Sequence, residues 1–191
     1  MARGRKAWEQ HVLGLTSPAA GRRTAGSGVD RLPPAGEGIA RRRALALDLA
    51  TSCGWAVGCG KVERSGMAPF DAGLADKLPT TVRHAAMFLT ASDWLVGMLV
   101  TYRVEVLVVE DSTANGLEGW AAWVIGGLRG VVLAEARRRR LEAFTVNNAT
   151  WKSFARRLGW RPELKSDEED ARWMLAYWMH LVEPSLRPSR G

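Results

Sequence analysis

Cysteine and histidine are scarce in this chain: 191 residues hold two of the first and three of the second. Cys53 and Cys59 stand six apart with no CxxC spacing, which excludes a thiolate zinc site of the usual kind. Two free, reduced, buried thiols are the expectation, and they suit a cytoplasmic protein. His84 and His180 fall within helical patterns and have no metal-ligand company. No uninterrupted apolar run reaches 18 residues, so no membrane span and no membrane partner are expected. Acid is also in short supply, with 20 Asp and Glu against 27 Lys and Arg, a formal charge of +7. A basic balance favours polyanions such as nucleic acid.

The excess of base is uneven. Residues 1–43 carry nine basic and three acidic side chains, +6 of the total, so the remainder is close to neutral. A nucleic-acid surface on the folded part must therefore be a local cluster. Within 1–40, Arg, Gly, Pro and Ser alternate without hydrophobic period, which buries too little to offset ordering entropy. The apolar patch HVLGLTSPAAG is too short and punctuated for a secretory signal. A transit peptide is compatible with the composition, but a solvated basic tail is the plainer reading. The chain thus divides into a basic tail (1–43), one folded domain (44–183) and a C-terminal tail (184–191). At 47% hydrophobic and 25% charged residues, the composition of the chain is that of an ordinary globular protein.

From Ala44 the texture changes. ALALDLAT reads as a buried strand, GWAVGCG as a second after a turn at Ser52–Gly54, and KVERSGM as a weaker third. Three short strands joined by Gly-containing turns predict an antiparallel meander. PTTVRHAAMFLTASDWLVGMLVTYR reads as a helix opened by Pro79 and Thr80, with Val82, Ala85, Ala86, Leu89, Trp94, Leu95, Met98 and Leu99 on its apolar face. VEVLVVED has the nearly continuous apolar pattern of a strand covered on both sides. A long Gly/Ala-rich helix follows, then the strand EAFTV. A short helix NATWKSFARRLG comes next, with Asn148 as its candidate cap, and a last helix runs from near Ser166 to Leu181. Strands four and five, joined by a helical crossover, should be parallel. The prediction is an α/β fold: a five-stranded mixed sheet, three strands antiparallel and then two parallel, flanked by helices.

The few acids are placed where they are expensive. Asp48 lies inside an apolar strand and Glu110 ends another, and a charge there is costly to bury without a partner. Asp167 and Asp170 lie three apart at a helix start and so share a face. Carboxylates delivered by two strands and a helix suit a divalent cation, because hard ions such as Mg²⁺ take oxygen ligands. That pattern points to phosphodiester hydrolysis. Each acid also has a plainer role open to it. Asp48 could be a partnered strand acid, and either Glu110 or its neighbour Asp111 could cap the next helix. The acids at 167–170 are what a helix dipole alone would favour.

Taken together, ALALDLATSCGWAVG, VEVLVVED and DEEDA, in that order and on those elements, resemble the RuvC-like Holliday-junction resolvases of the ribonuclease H-like superfamily, particularly the compact phage and prophage type. LRGVVLAEARRRRLEAFTVNNATWKSFARRLG resembles the helix, strand and WK segment between the second acid and the last. The resemblance covers about residues 44–182. It implies a ribonuclease H-like fold, metal binding by Asp48, Glu110 and Asp170 with Asp167 as the additional acid, and Lys152 near the scissile phosphate. It also implies a metal-dependent DNA endonuclease using two Mg²⁺ ions, with Mn²⁺ as a substitute. Such an enzyme acts as a homodimer and resolves four-way junctions by paired nicks that leave 5′-phosphate and 3′-hydroxyl ends. A bacterial or phage-infected cytoplasm is the implied setting. Two features depart from the pattern. No aromatic residue follows Glu110 directly (Asp111, Ser112, Thr113 and Ala114 do), so a junction wedge is missing or comes from Trp120; and the connection WRPELK is short.

The basic side chains carry two readings each. Arg137 to Arg140 end a helix, as a solvated face or as phosphate contacts, with Arg137 and Arg138 the candidates. Lys152, Arg156 and Arg157 share one short helix that could face a DNA backbone, and the tail arginines add salt-sensitive attraction. Trp55, Trp94, Trp123, Trp173 and Trp178 read as core, while Trp120 and Trp160 are candidates for base stacking. The helix at 116–136 is the candidate dimer contact. Two other functions compete. An actin-like or sugar-kinase-like phosphotransferase would use DLATSCGWAV as a phosphate loop, but it needs a second Gly-rich loop that is absent. A non-catalytic junction-binding protein of the same fold would not require all four acids.

Overall fold

A computed structural model describes residues 42–71, 79–111, 119–161 and 166–182. The basic tail through residue 41, the positions just after Asp111, most of the WRPELK connection and Pro184 lie outside the described residues.

The described elements run β1 (Ala44–Asp48), β2 (Ser52–Gly58), β3 (Val62–Pro69), α1 (Thr80–Thr101), β4 (Val106–Asp111), α2 (Gly119–Arg138), β5 (Glu142–Asn147), α3 (Asn148–Arg157) and α4 (Asp167–Tyr177). A π-helical turn, Trp178–Val182, continues α4. The strands form one sheet in the order β3-β2-β1-β4-β5. β1 pairs antiparallel with β2, and β2 with β3; β4 lies parallel to β1 and to β5. This is the mixed sheet expected from the sequence.

Side-chain alternation divides the core in two. Leu45, Leu47, Trp55, Val57, Leu107 and Val109 face α1 and α2. Ala44, Ala46, Ala56, Val106, Val108 and Val146 face α3 and α4, where Trp151, Trp173 and Met174 are fully buried. The small residues of β1 and β2 on this second face let α4 pack close to the sheet. Gly54 is the tightest point, since a Cβ there would come 1.9 Å from the carbonyl oxygen of Asp167.

Several local expectations are corrected. The first turn lies at Leu49–Thr51, and Ser52 already belongs to β2. The cap of α3 is Asn147, whose side chain accepts from the Thr150 N–H at 3.3 Å, rather than Asn148. Helix α1 buries His84, Met87, Ala91, Leu95, Met98 and Leu99, leaving Val82, Ala85 and Leu89 exposed. α1 is also long and apolar enough to cross a membrane by length and composition. It nevertheless packs one face into the core beneath the sheet and carries Arg83 and Asp93. Arg42 and Arg43, counted with the tail by sequence, are tied to the sheet. Arg42 reaches Glu142 at 2.7 Å, and Arg43 reaches Glu63 at 2.5 Å.

Gly54→Ala should destabilise the fold by roughly 1–3 kcal/mol, because backbone on both sides leaves no room for the methyl. Gly97→Ala in α1, with open space around it, should instead be neutral or stabilising by up to about 1 kcal/mol. Urea unfolding of the two variants checks this pair of opposite signs.

Candidate active site at the sheet end

The connections bring one end of the sheet together. β1, β3, β4 and β5 all run toward it, so α1, α2, α3 and α4 each place their first turn there. Open α/β sheets bind ligands outside the carboxyl ends of their strands.

Asp48 and Glu110 end two neighbouring parallel strands. Leu47 pairs with Val109, so the next step in register sets Asp48 beside Glu110, with the strands about 4.8 Å apart. Alternation sends both side chains to the α3–α4 face. It sends Asp111 to the other face, where Arg129 of α2 binds it at 3.0 Å. That decides between Glu110 and Asp111: the second is spent on a structural ion pair. Glu110 instead accepts from the indole N–H of Trp151 at 3.1 Å.

The helix acids arrive across Gly54. Asp48 pairs with Gly54 in the β1–β2 ladder, and the backbone of Asp167 rests on that glycine. Ser166 caps α4, its hydroxyl accepting from the Glu169 N–H at 3.1 Å. The next two acids are held by neighbours. Glu168 accepts from Ser65 of β3 at 2.7 Å, and Glu169 accepts from Trp173 at 2.8 Å while lying 3.8 Å from Arg172. Asp170, one turn beyond Asp167, is 1% exposed. The nearness of the acids registers on Cys53, next to Gly54. Burial, then the negative charges of Asp48 and Asp167, push its thiol well above the ordinary range.

The donor set is therefore all carboxylate oxygen at one strand end, which suits a hard divalent cation in type and location. Among the described residues, no three His, Cys, Asp or Glu side chains stand close enough to form a ready-made metal cage. Glu110 is turned to Trp151 rather than gathered with the other acids.

The basic candidates separate by position. Lys152, on the first turn of α3, lies 5.0 Å over the Trp151 ring and hence next to the Glu110 contact. Arg156 stacks over Trp160 at 5.6 Å and Arg157 is exposed, both further along the same helix. Arg137 and Arg138 end α2 at the opposite end of the sheet, away from the acids, and Arg138 pairs with Glu135. Two tryptophan assignments are reversed. Trp160 is buried, its ring 5.7 Å from that of Trp151, whereas Trp123 is 55% exposed. Trp120 is 58% exposed, as base stacking requires, and donates its indole N–H to His84 Nε2 at 2.8 Å. Gly54 and Trp151 were missed in the sequence; the WK segment was the only signal for the second.

The same architecture occurs in solved structures. Thermus thermophilus RuvC aligns with a TM-score of 0.53 and 16% identity over 77% of this chain and 99% of RuvC. RuvC from T. thermophilus in complex with a Holliday junction substrate aligns at 0.51 and 15%, over 72% and 93%. The chain has a RuvC-like fold. The yeast mitochondrial Holliday junction resolvase Ydc2 shares it at 0.51 and 12%, over 91% of this chain and 92% of Ydc2. No protein-family model and no curated protein sequence matches the chain. The likeness to RuvC therefore lies in the fold.

Trp151→Phe keeps the ring in place but removes the donor to Glu110. It should weaken Mn²⁺ binding about 10- to 100-fold, the usual cost of losing a group that orients a ligand. Titration calorimetry reads the binding, and a thermal melt checks the fold. Separately, iodoacetamide should label Cys59 in the native protein and reach buried, protonated Cys53 only after unfolding, as peptide mass spectrometry would report.

Proposed function

We propose that this chain is a divalent-metal-dependent DNA endonuclease that cuts branched DNA, four-way junctions foremost. The observation that carries the reading is the convergence at one sheet end. Asp48 and Glu110 are one register step past a paired position, and Asp167 is seated on the glycine opposite Asp48. The RuvC-like fold supports it, since the matching structures are of Holliday junction resolvases.

Two cations, Mg²⁺ or Mn²⁺, would supply the charge that activates water and stabilises the leaving 3′ oxygen. The residues divide the work of holding them. Asp48, between the other acids, is placed to share its oxygens; Glu110 serves one side, oriented by Trp151, and Asp170 with Asp167 serves the other. Lys152 offers a positive charge to the scissile phosphate. Arg156 and Arg157 continue that positive face along α3, while Arg137 and Arg138, at the far end of the sheet, suit distant backbone contacts at most. The product is a nick with 5′-phosphate and 3′-hydroxyl ends.

A four-way junction needs two matched cuts, which a twofold pair of subunits supplies. A homodimer through the α2 region is supported by the exposed line of Trp123, Gly126, Gly130 and Leu133 on that helix. Two free thiols suit a cytoplasmic setting, in a bacterium or a phage-infected cell. A non-catalytic junction-binding protein of this fold is the second reading, favoured by the absence of a ready-made cage among the described residues.

Asp48→Asn and Asp170→Asn should each abolish Mg²⁺-dependent nicking of a four-way junction while junction affinity, measured in Ca²⁺, stays within about threefold, because the basic surface is untouched. Nicking by either variant at the wild-type rate rules out the site. Tight junction binding by a wild-type protein that never nicks supports the second reading.

A further inference from the structure

A second cavity opens at the same end of the sheet, on the opposite face from the acids. It has a volume of 220 Å³ and is lined by Thr51, Asp71, Arg83, His84, Met87 and Trp120, with Thr80 at the start of α1. Thr51 follows Asp48 by three residues, so the cavity begins within about 11 Å of that strand acid by chain reach alone. The volume is below the roughly 300–1,000 Å³ of sites for drug-sized molecules. It suits one flat heteroaromatic ring.

The walls have the chemistry of such a ring. Trp120 is more than half exposed, although an indole is among the most costly side chains to leave in water. It is also fixed in place: its N–H is bound to buried His84, and the His84 ring packs 4.6 Å from Trp123. A rigid aromatic face that remains open to solvent is a stacking platform. Arg83 supplies donors, Asp71 an acceptor and Thr51 a hydroxyl of either kind, which together match the mixed edge of a base. Met87 closes the floor with apolar contact. A purely apolar partner, such as a second subunit, would leave Arg83 and Asp71 desolvated without reward.

We infer that this cavity accepts a single unpaired nucleobase from the strand being cut, a nucleotide or two from the scissile phosphate, with Trp120 stacking on it. The inference rests on the nuclease reading above and adds a base-specific contact to it. An extrahelical base held here pins the backbone relative to Asp48 and restricts cutting to places where a base can leave the stack. Branch points and mispairs offer such bases at least cost.

The test compares Trp120→Ala with wild type on four-way junctions that carry one abasic nucleotide at each successive position around the cut, with binding measured in Ca²⁺. Trp120→Ala should bind the intact junction about 5- to 100-fold more weakly, the loss of one base stack. At one position the abasic junction should bind wild type and variant equally. Trp120→Phe, which keeps a stacking face, should lose less than about threefold on the intact junction. An equal loss by Trp120→Ala on every junction, or no loss on any, overturns the base pocket while leaving the nuclease reading intact. A wild-type protein that neither binds nor cuts junctions overturns both.

Discussion

The contact on which this site depends is backbone against backbone, where the first turn of α4 rests on Gly54. No side chain could occupy that position, because the Asp167 carbonyl already fills the space a Cβ would take. The glycine is paired with Asp48, so the contact sets the distance between the strand acid and the helix acids. Two tethers keep the helix there. The Ser65 hydroxyl binds Glu168 from β3, and the Ser166 cap satisfies the Glu169 N–H. Behind the first turn, Ala171, Met174 and Leu175 bury themselves against Ala46 and Ala56. The small residues of β1 and β2 are what allow α4 to lie so near.

Gathering carboxylates is unfavourable, and the fold reduces the cost in three ways. The acids of α4 sit at a helix N-terminus, where the backbone dipole favours negative charge. Those not directed to the site are given partners: Asp111 to Arg129, Glu168 to Ser65, Glu169 to Trp173. Glu110 is held by the Trp151 indole, with the Lys152 ammonium close over the same ring. What remains is a local negative field, and the raised Cys53 thiol is its internal reporter. Against a chain that is formally +7, that field marks the place where external positive charge is wanted.

Much of this was readable before any coordinates. A lone Asp between Leu47 and Leu49 in an apolar strand contradicts its surroundings, and so does a Glu ending an all-apolar run; such local conflicts point to sites. Ser166 before four acids announced the helix start. Other features were illegible for physical reasons. α1 is apolar nearly all round, so spacing alone could not tell that Val82 and Leu89 face water while His84 and Met87 face the core. Trp160 is buried because Gly159, at φ +94°, turns the chain back onto α3, where the Trp160 N–H reaches the Ala155 carbonyl. Trp123 is exposed because its helix face has no sheet beneath it. Neither outcome is a property of the tryptophan. Trp151 could be read as core, but its bond to Glu110 depends on β5 and α3 meeting at the sheet end. The role of Gly54 required knowing that a helix 113 residues later would cross it.

The most direct test of the central claim is anomalous diffraction from crystals soaked in Mn²⁺. The account predicts at least one manganese peak within coordination distance, about 2.2 Å, of an Asp48 carboxylate oxygen, with Glu110 or the Asp167–Asp170 pair completing the shell. Manganese bound elsewhere, with Asp48 touching no ion at saturating concentration, would contradict it.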